Sequence, residues 1–246
     1  MSYANATTND PNPVKRWIQR RRFVDSLRVF TRFQPRPSAT ILDFGGGIGD
    51  LLRVIHDFSP ALDCCLYEPI PVLAEQAKAH LRDLPQIEIT LQLGLQHWHK
   101  FDYVFCLEVF EHLPPTQTTE VIELLRRVVK PEGVIIVSVP HEIYLPAMAK
   151  GLFRMARRYG SFDARWGNML ACTMGSPPTE RPIAELAPGY PFHPHHLGFD
   201  FRALERRLRT SFQVVETWFS PLPLLGPVLN SEYFINLRPL EFVSNG

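Results

Sequence analysis

Residues 41–52 read "ILDFGGGIGDLL". An apolar run reaches the acid Asp43 and Phe44, four glycines follow in five positions (Gly45, Gly46, Gly47, Gly49), and a second acid, Asp50, opens an apolar helical run. Glycine lets the backbone turn sharply and approach a ligand closely. After the first strand of an open parallel sheet, such a loop lies where ligands bind, beyond the carboxyl ends of the strands. A phosphate-binding loop ends in Gly-Lys-Ser/Thr, whereas this one has Ile48, Gly49 and Asp50. A dinucleotide fingerprint begun at Gly45 and Gly47 would need its third glycine where Asp50 stands, with Asp43 beside the pyrophosphate. Two carboxylates repel a doubly negative group and suit a ligand that carries positive charge.

Outward from this loop the chain alternates between two periods. Apolar strands "TILDF", "DCCLYE", "IEITLQL", "FDYVFCLEV" and "GVIIVSVP" are separated by helical runs "GDLLRVIHDF", "PVLAEQAKAHLRDL" and "TTEVIELLRRVVK". The pattern predicts an α/β fold around a parallel sheet covered on both faces. Upstream, "VKRWIQRRRFVDSLRVFTRF" sets Val14, Trp17, Ile18, Val24, Leu27 and Phe30 near helical spacing, with arginines on the other face. Downstream, the rhythm breaks between Pro140 and His193. There a basic helical stretch and a Pro-rich loop are too long for a simple connection, which marks residues 141–192 as a lid or substrate wall. A helix "FRALERRLRT" capped by Asp200, a strand "FQVVETWFS" and a last strand around "SEYFINLRP" follow. We therefore expect a disordered tail over residues 1–13 and a single domain over 14–246.

Several motifs then carry a family resemblance. Asp43-x-Gly45-x-Gly47-x-Gly49 resembles the first motif of class I S-adenosylmethionine-dependent methyltransferases. Glu68 ends the next strand, where an acid can accept both hydroxyls of a ribose. "FDYVFCLEVFEHLPP", Phe101 to Pro115, is similar to the fourth-strand motif of the group that includes the ubiquinone-biosynthesis O-methyltransferases, and "LRRVVKPEGVIIVSVP" to the helix, turn and fifth strand that follow. The likeness runs from Thr40 to Pro140 and resumes at "HHLGFDFRALERRL". It implies a Rossmann-like, doubly wound, seven-stranded and mostly parallel sheet with an antiparallel last strand. It also implies S-adenosyl-L-methionine as cofactor, held by Asp43, Gly45, Gly46, Gly47, Gly49, Glu68, Pro69 and Leu107. Where family members often place an acid for the adenine amino group, this chain has Leu95 and Gln96, and Gln96 is the substitute acceptor.

Methyl transfer is an in-line displacement that requires alignment of the acceptor and, for a hydroxyl, removal of a proton. Histidine suits the second task. His112, His141 and the loop histidines His193, His195 and His196, of which His196 is the best placed, are the candidate bases, with Glu108 at the end of the fourth strand as a carboxylate that orients the ammonium or the acceptor or pairs with a lid arginine. Oxygen of a small or carrier-linked metabolite is the expected acceptor: a sugar, quinone precursor or secondary-metabolite hydroxyl. The competing readings are N-methylation of a small molecule, a nicotinamide-dependent oxidoreductase, disfavoured by Asp43 and the missing glycine, and a cofactor-binding module that no longer transfers methyl groups. A base-methylating enzyme of this fold would carry Asn/Asp-Pro-Pro-aromatic at the fourth strand, which "CLEVFEHLPP" is not.

A formal net charge of +1 argues against a dedicated nucleic-acid binder. Basic residues cluster locally, however, and Arg154, Arg157 and Arg158 are candidates to attract an anionic acceptor or touch a membrane surface. Cys64, Cys65, Cys106 and Cys172 lack metal-ligand spacing and read as reduced structural thiols. His193-Pro194-His195-His196 lies in one loop without a distant third ligand, so no metal centre is expected. The start "MSYANATTNDPNP" has neither the apolar run of a signal peptide nor a basic leader, which predicts a cytoplasmic protein.

Overall fold

The structure, a computed structural model, describes residues 13–33 and 35–240. The expected tail lies outside the described residues except for Pro13, which begins the first helix. Five strands, β1 (Thr40–Phe44), β2 (Asp63–Tyr67), β3 (Glu88–Thr90), β4 (Phe101–Leu107) and β5 (Val129–Pro140), pair in parallel. A two-stranded hairpin, β6 (Ala184–Ala187) and β7 (Tyr190–Phe192), stands apart from them. Two further strands, β8 (Phe212–Ser220) and β9 (Glu232–Pro239), complete a seven-stranded sheet in the order β3-β2-β1-β4-β5-β9-β8, with β9 antiparallel to both neighbours. Order reverses at β1, which pairs with β2 on one side and β4 on the other. The carboxyl ends of β1 and β4 therefore frame a crevice, the usual ligand position of such a sheet.

Helices cover both faces, as continuous burial along β1, β4 and β5 requires. On one face lie α1 (Pro13–Ser26), α2 (Arg28–Phe33), α3 (Asp50–Phe58) and α4 (Pro71–His80), where Val29, Phe30, Leu52, Ile55 and Ala77 pack on Ile41, Leu66, Phe105 and Ile136. The other face holds α5 (Pro115–Val128), whose Ile122, Leu125 and Val128 pack on Leu42, Val104 and Val137. Adjacent residues of β1, Ile41 and Leu42, thus belong to opposite cores, the two-residue alternation of a strand buried on both sides.

The first helix departs from the expected continuous run: it breaks at Leu27, and Trp17 and Val24, expected on its buried face, are exposed. Phe30 is buried as expected, and Asp25, Ser26 and Val29 are buried with it. Asp25 is anchored from afar, accepting from Ser220 Oγ at 2.6 Å. Residues 141–192 also hold more regular structure than a Pro-rich loop: α6 (Leu145–Arg158), α7 (Trp166–Thr173) and the β6–β7 hairpin. The expected return to the sheet is found in α8 (Phe201–Leu208), where the Asp200 side chain accepts from the Arg202 N–H as the cap. A short helix, α9 (Gly226–Leu229), lies in the β8–β9 connection. All four cysteines are free and buried. No helix among the described residues is long and apolar enough to cross a membrane.

The basic lid stretch is only partly available to a ligand. Arg154 clamps the buried Glu142 with two hydrogen bonds of 2.9 and 2.8 Å, Lys150 adds a third at 3.0 Å, and Arg158 pairs with buried Asp163. Among the three arginines proposed for an anion, Arg154 is therefore a structural tie, because leaving a buried carboxylate short of partners is costly. Arg154→Ala is expected to lower stability by roughly 3 kcal/mol, read as a lower denaturation midpoint at unchanged m-value.

Candidate active site

The crevice between β1 and β4 opens into a cavity of about 470 Å³, a size typical of small-molecule sites. Its floor is the glycine loop, its far wall Glu68, Pro69, Ile70 and Leu73, and its near wall Glu108, Val109, His112 and Leu113. Gly45 and Gly47 line it with φ of 70° and 58°, left-handed values that glycine adopts without strain. Gly46 has a different role: a Cβ there would lie 2.2 Å from Asp43 Oδ2 and 2.6 Å from Leu66, so the loop folds down onto the ends of β1 and β2. Gly49, with φ of 84°, is not a lining residue, and its backbone packs against Leu81.

Glu68 ties the loop to the neighbouring unit. One carboxylate oxygen accepts from the Gly47 N–H and the other from the Ile70 N–H, each at 3.0 Å. A carboxylate has about four lone-pair sites, which leaves two for a diol. Asp43 is buried with Oδ2 unpartnered. Burial, with Glu68 and Asp50 nearby, pushes its pKa up to about 8, and burial pushes Glu68 up to about 7. Asp43, expected from the sequence to be an anion, is thus held largely protonated near neutral pH, and a cationic ligand is what would restore its charge. Leu107 and Asp50 border the small side recess that Asp43 faces.

Glu108 turns the end of β4 with a φ of 56°, uncommon for a residue with a side chain. Its Oε2 lies 3.2 Å from Arg22, and Arg22 also donates to Glu232 Oε1 at 2.6 Å. Its partner is thus an arginine of the first helix and not of the lid. Burial raises Glu108 to about 7 and Glu232 to about 8. Gln19 and Arg22 bring α1 to the cavity wall. Sequence reading missed both, because the arginine run was assigned to a solvated face and nothing local to residue 22 points to residue 232.

His112 is fixed by a reciprocal pair of bonds: its Nδ1 donates to the His193 carbonyl at 2.9 Å, and the His193 N–H donates to the His112 carbonyl at 2.8 Å. That leaves Nε2 as the lone-pair nitrogen, 3.7 Å from Glu111 Oε1. The His196 ring is 5.0 Å away, edge to face, and both rings line the cavity. Burial lowers the pKa of His112 and brings His196 down to about 3, so both are neutral at pH 7. Glu111 is fully buried with both carboxylate oxygens unpartnered, and burial raises it to about 8. Ligand atoms of Glu111, His112 and His196 lie within 4.8 Å of one another. Glu111 and His112, distant in sequence from the His193–His196 loop, are thus brought beside it by the fold.

Three expected residues are elsewhere. His141 is fully buried, donates from Nδ1 to the Asn230 carbonyl at 3.2 Å, packs against Phe201 and Phe219, and is not among the cavity residues. Leu95 and Gln96 sit exposed on a 3₁₀ turn after β3, also outside the lining. β3 itself covers only Glu88–Thr90, so the turn starts farther from the crevice than a strand through Leu93 would put it. The 141–192 insertion supplies residues that sequence reading did not name: Leu186, Tyr190, Pro191 and Phe192 line the cavity, and the Tyr190 hydroxyl donates to the Pro69 carbonyl at 2.9 Å. The hairpin is thereby fastened across the mouth onto the residue that follows Glu68.

These buried acids set the pH response of the free protein. Between about pH 7.5 and 8.5 the histidines of the unfolded chain, with an ordinary pKa near 6.5, hold few protons, so the buried acids decide the sign. Asp43, Glu111 and Glu232 keep protons in the folded state up to about pH 8 that the unfolded chain has already lost. Stability therefore falls as pH rises across this window. The melting temperature of the ligand-free protein is expected to be higher at pH 7.5 than at pH 8.5, and a rise over that range would contradict the burial described.

Comparison with known proteins agrees with this geometry. The profile of a methyltransferase-domain family matches residues 16–173, and the chain belongs to that family. It is a class I S-adenosylmethionine-dependent methyltransferase. No curated protein matches the sequence. Among solved structures it is similar to the PH0226 protein of Pyrococcus horikoshii OT3, with a TM-score of 0.60 and 13% identity over 97% of this chain and 96% of that one. It is also similar to the N-methyltransferase NodS of Bradyrhizobium japonicum WM9 in complex with S-adenosyl-L-homocysteine, with a TM-score of 0.57 and 14% identity over 94% and 90%. A third is the Burkholderia thailandensis 1,6-didemethyltoxoflavin-N1-methyltransferase with bound 1,6-didemethyltoxoflavin and S-adenosylhomocysteine, at 0.55 and 13% over 96% and 85%. At such identities the likeness is one of fold.

Proposed function

We propose that the enzyme methylates an oxygen of a small or carrier-linked metabolite, with His112 as the general base. The single observation that carries this reading is the His193 carbonyl on His112 Nδ1, which presents the basic Nε2 of a neutral imidazole at the cavity wall. Asp43, Gly45, Gly46, Gly47 and Glu68 fit the cofactor: the carboxylate keeps lone pairs for a ribose, the orphaned Asp43 oxygen suits a cation, Gly45 and Gly47 line the cavity in left-handed conformations, and Gly46 lets the loop close over Asp43. Gln19 and Arg22 are assigned to the same end of the cavity, where Arg22 can meet a carboxylate. Bound S-adenosylmethionine supplies a methyl group already activated on a sulfonium.

The chain's own residues then have two tasks. Val109, Leu113, Leu186 and Phe192 exclude water and align the acceptor, the larger contribution to rate. His112 Nε2 takes the hydroxyl proton, and its Nδ1–H bond to His193 stabilises the imidazolium that results. Glu108, held by Arg22, orients rather than reacts. We place the lid at residues 141–192 within one domain over 14–246, because the hairpin shares the cavity with the sheet.

A second reading is favoured by the pair of unpartnered Glu111 oxygens: a divalent cation held by Glu111, His112 and His196 would take the acceptor oxygen and lower its pKa. Methyl transfer to candidate hydroxyl acceptors, measured after chelation and again with magnesium, manganese or zinc restored, separates the two. Activity unchanged by chelation supports His112 as unaided base; activity lost and recovered supports the cation. Transfer to amines alone, with no hydroxyl acceptor turned over, would overturn the oxygen assignment.

A further inference from the structure

The outer side of the lid has no part in the cavity. Along α6, Leu145, Ala149, Leu152, Phe153 and Ala156 fall at spacings of four, three, one and three residues, which is one helix face, and all are exposed. Beside α6 stands the β8–β9 connection with α9, where Leu222, Leu224, Leu225, Val228 and Leu229 are exposed and Leu224 is fully in solvent. Lys150 bridges the two segments by donating to the Ser231 carbonyl at 3.3 Å. Few soluble surfaces leave so many large apolar side chains together without a counterpart.

Charge identifies the counterpart. From Ile143 to Phe162 the chain carries Lys150, Arg154, Arg157 and Arg158 and no acid, and from Pro221 to Ser231 it carries no charged residue. Lys150 and Arg154 are turned inward on Glu142, whereas Arg157 is exposed, its guanidinium 5.4 Å from the Phe153 ring centroid. Tyr159 and Trp166, amphipathic rings of the kind found at bilayer interfaces, are exposed just beyond it. A protein partner would require a matching apolar groove with an acidic rim. An anionic bilayer offers both properties over any area, with headgroups for Arg157 and acyl chains for leucines at the tip of a loop.

We propose that this face, formed by the outward side of α6 and the 221–231 connection, docks the enzyme on an anionic lipid surface. Both segments leave the sheet at the edge where the cavity opens: α6 follows β5, and the connection ends at Glu232, the partner of Arg22. Docking would set the cavity mouth close to the bilayer. The proposal is independent of which atom is methylated.

The test is co-sedimentation of the full chain with vesicles of equal parts phosphatidylglycerol and phosphatidylcholine, against vesicles of phosphatidylcholine alone. The wild type is expected to sediment with the former and not the latter, and to be released by salt. Phe153→Gln combined with Leu224→Gln, and separately Arg157→Glu, should each weaken partitioning by about tenfold or more, while S-adenosylhomocysteine binding, which reports an intact fold, stays unchanged. No sedimentation with the anionic vesicles, or equal sedimentation of the double variant, would overturn the proposal. So would a wild-type dimer that the same double variant converts to monomer, because a second copy would then be what covers the face.

Discussion

Glu68→Ala is expected to weaken binding of S-adenosylhomocysteine by about a hundredfold or more, since two charge-assisted hydrogen bonds at roughly 1.5–3 kcal/mol each are removed. The loss has two origins that can be separated. Without the carboxylate, the Gly47 and Ile70 N–H groups lose their acceptors, which loosens the loop before any ligand arrives. The lone pairs proposed for the ribose hydroxyls disappear as well. Glu68→Gln keeps one acceptor oxygen but turns an NH₂ toward a backbone N–H, so it should bind with intermediate affinity. If calorimetry finds Glu68→Ala within threefold of wild type, the carboxylate holds only the loop, and the ribose assignment fails.

His112→Ala is expected to lower kcat by a factor of about 10² to 10⁴, the range for a positioned base, with cofactor affinity essentially unchanged. The side chain is bonded to the His193 carbonyl and the glycine loop lies across the cavity, so its removal should spare the cofactor end. The pH profile gives the sign. Burial lowers the His112 pKa, so the wild type should lose activity only as pH falls below the ordinary histidine range, when the imidazole takes up a proton. The residual activity of the variant should lack that acid limb. A variant with wild-type kcat, or one that keeps the limb, would remove His112 from the reaction.

Much of the site could be read before the fold was known, and the reason is local. The glycine loop, Glu68 and Glu108 follow directly on apolar strands, so strand periodicity alone sets them at one edge of a sheet. The same periodicity distinguishes β1, β4 and β5, each buried on both faces. It fails where partners are distant in sequence. Arg22 meets Glu232 across 210 residues, and no pattern near residue 22 separates that arginine from its solvated neighbours. The lid hairpin is hidden by Pro191 and by short strands with exposed or half-buried residues, which carry little alternation. His141 follows a strand end as the other candidates do, yet its ring turns into the core, a choice made by Phe201 and Phe219 and not by the strand. Leu95 and Gln96 rest only on the place where family members carry an acid after the third strand, and here β3 ends at Thr90 and neither residue lines the cavity.

One cavity, framed by the glycine loop, Glu68 and the end of β4, is the proposed seat of the cationic cofactor. Calorimetric titration of the wild type with S-adenosylmethionine near pH 7.5, repeated in buffers of different ionisation enthalpy, tests this most directly. One molecule should bind per chain, with a buffer-dependent heat that reports proton release, because a positively charged ligand draws Asp43 down from about 8 and Glu68 from about 7. Binding without proton release, or no binding while a nicotinamide dinucleotide binds, would contradict it.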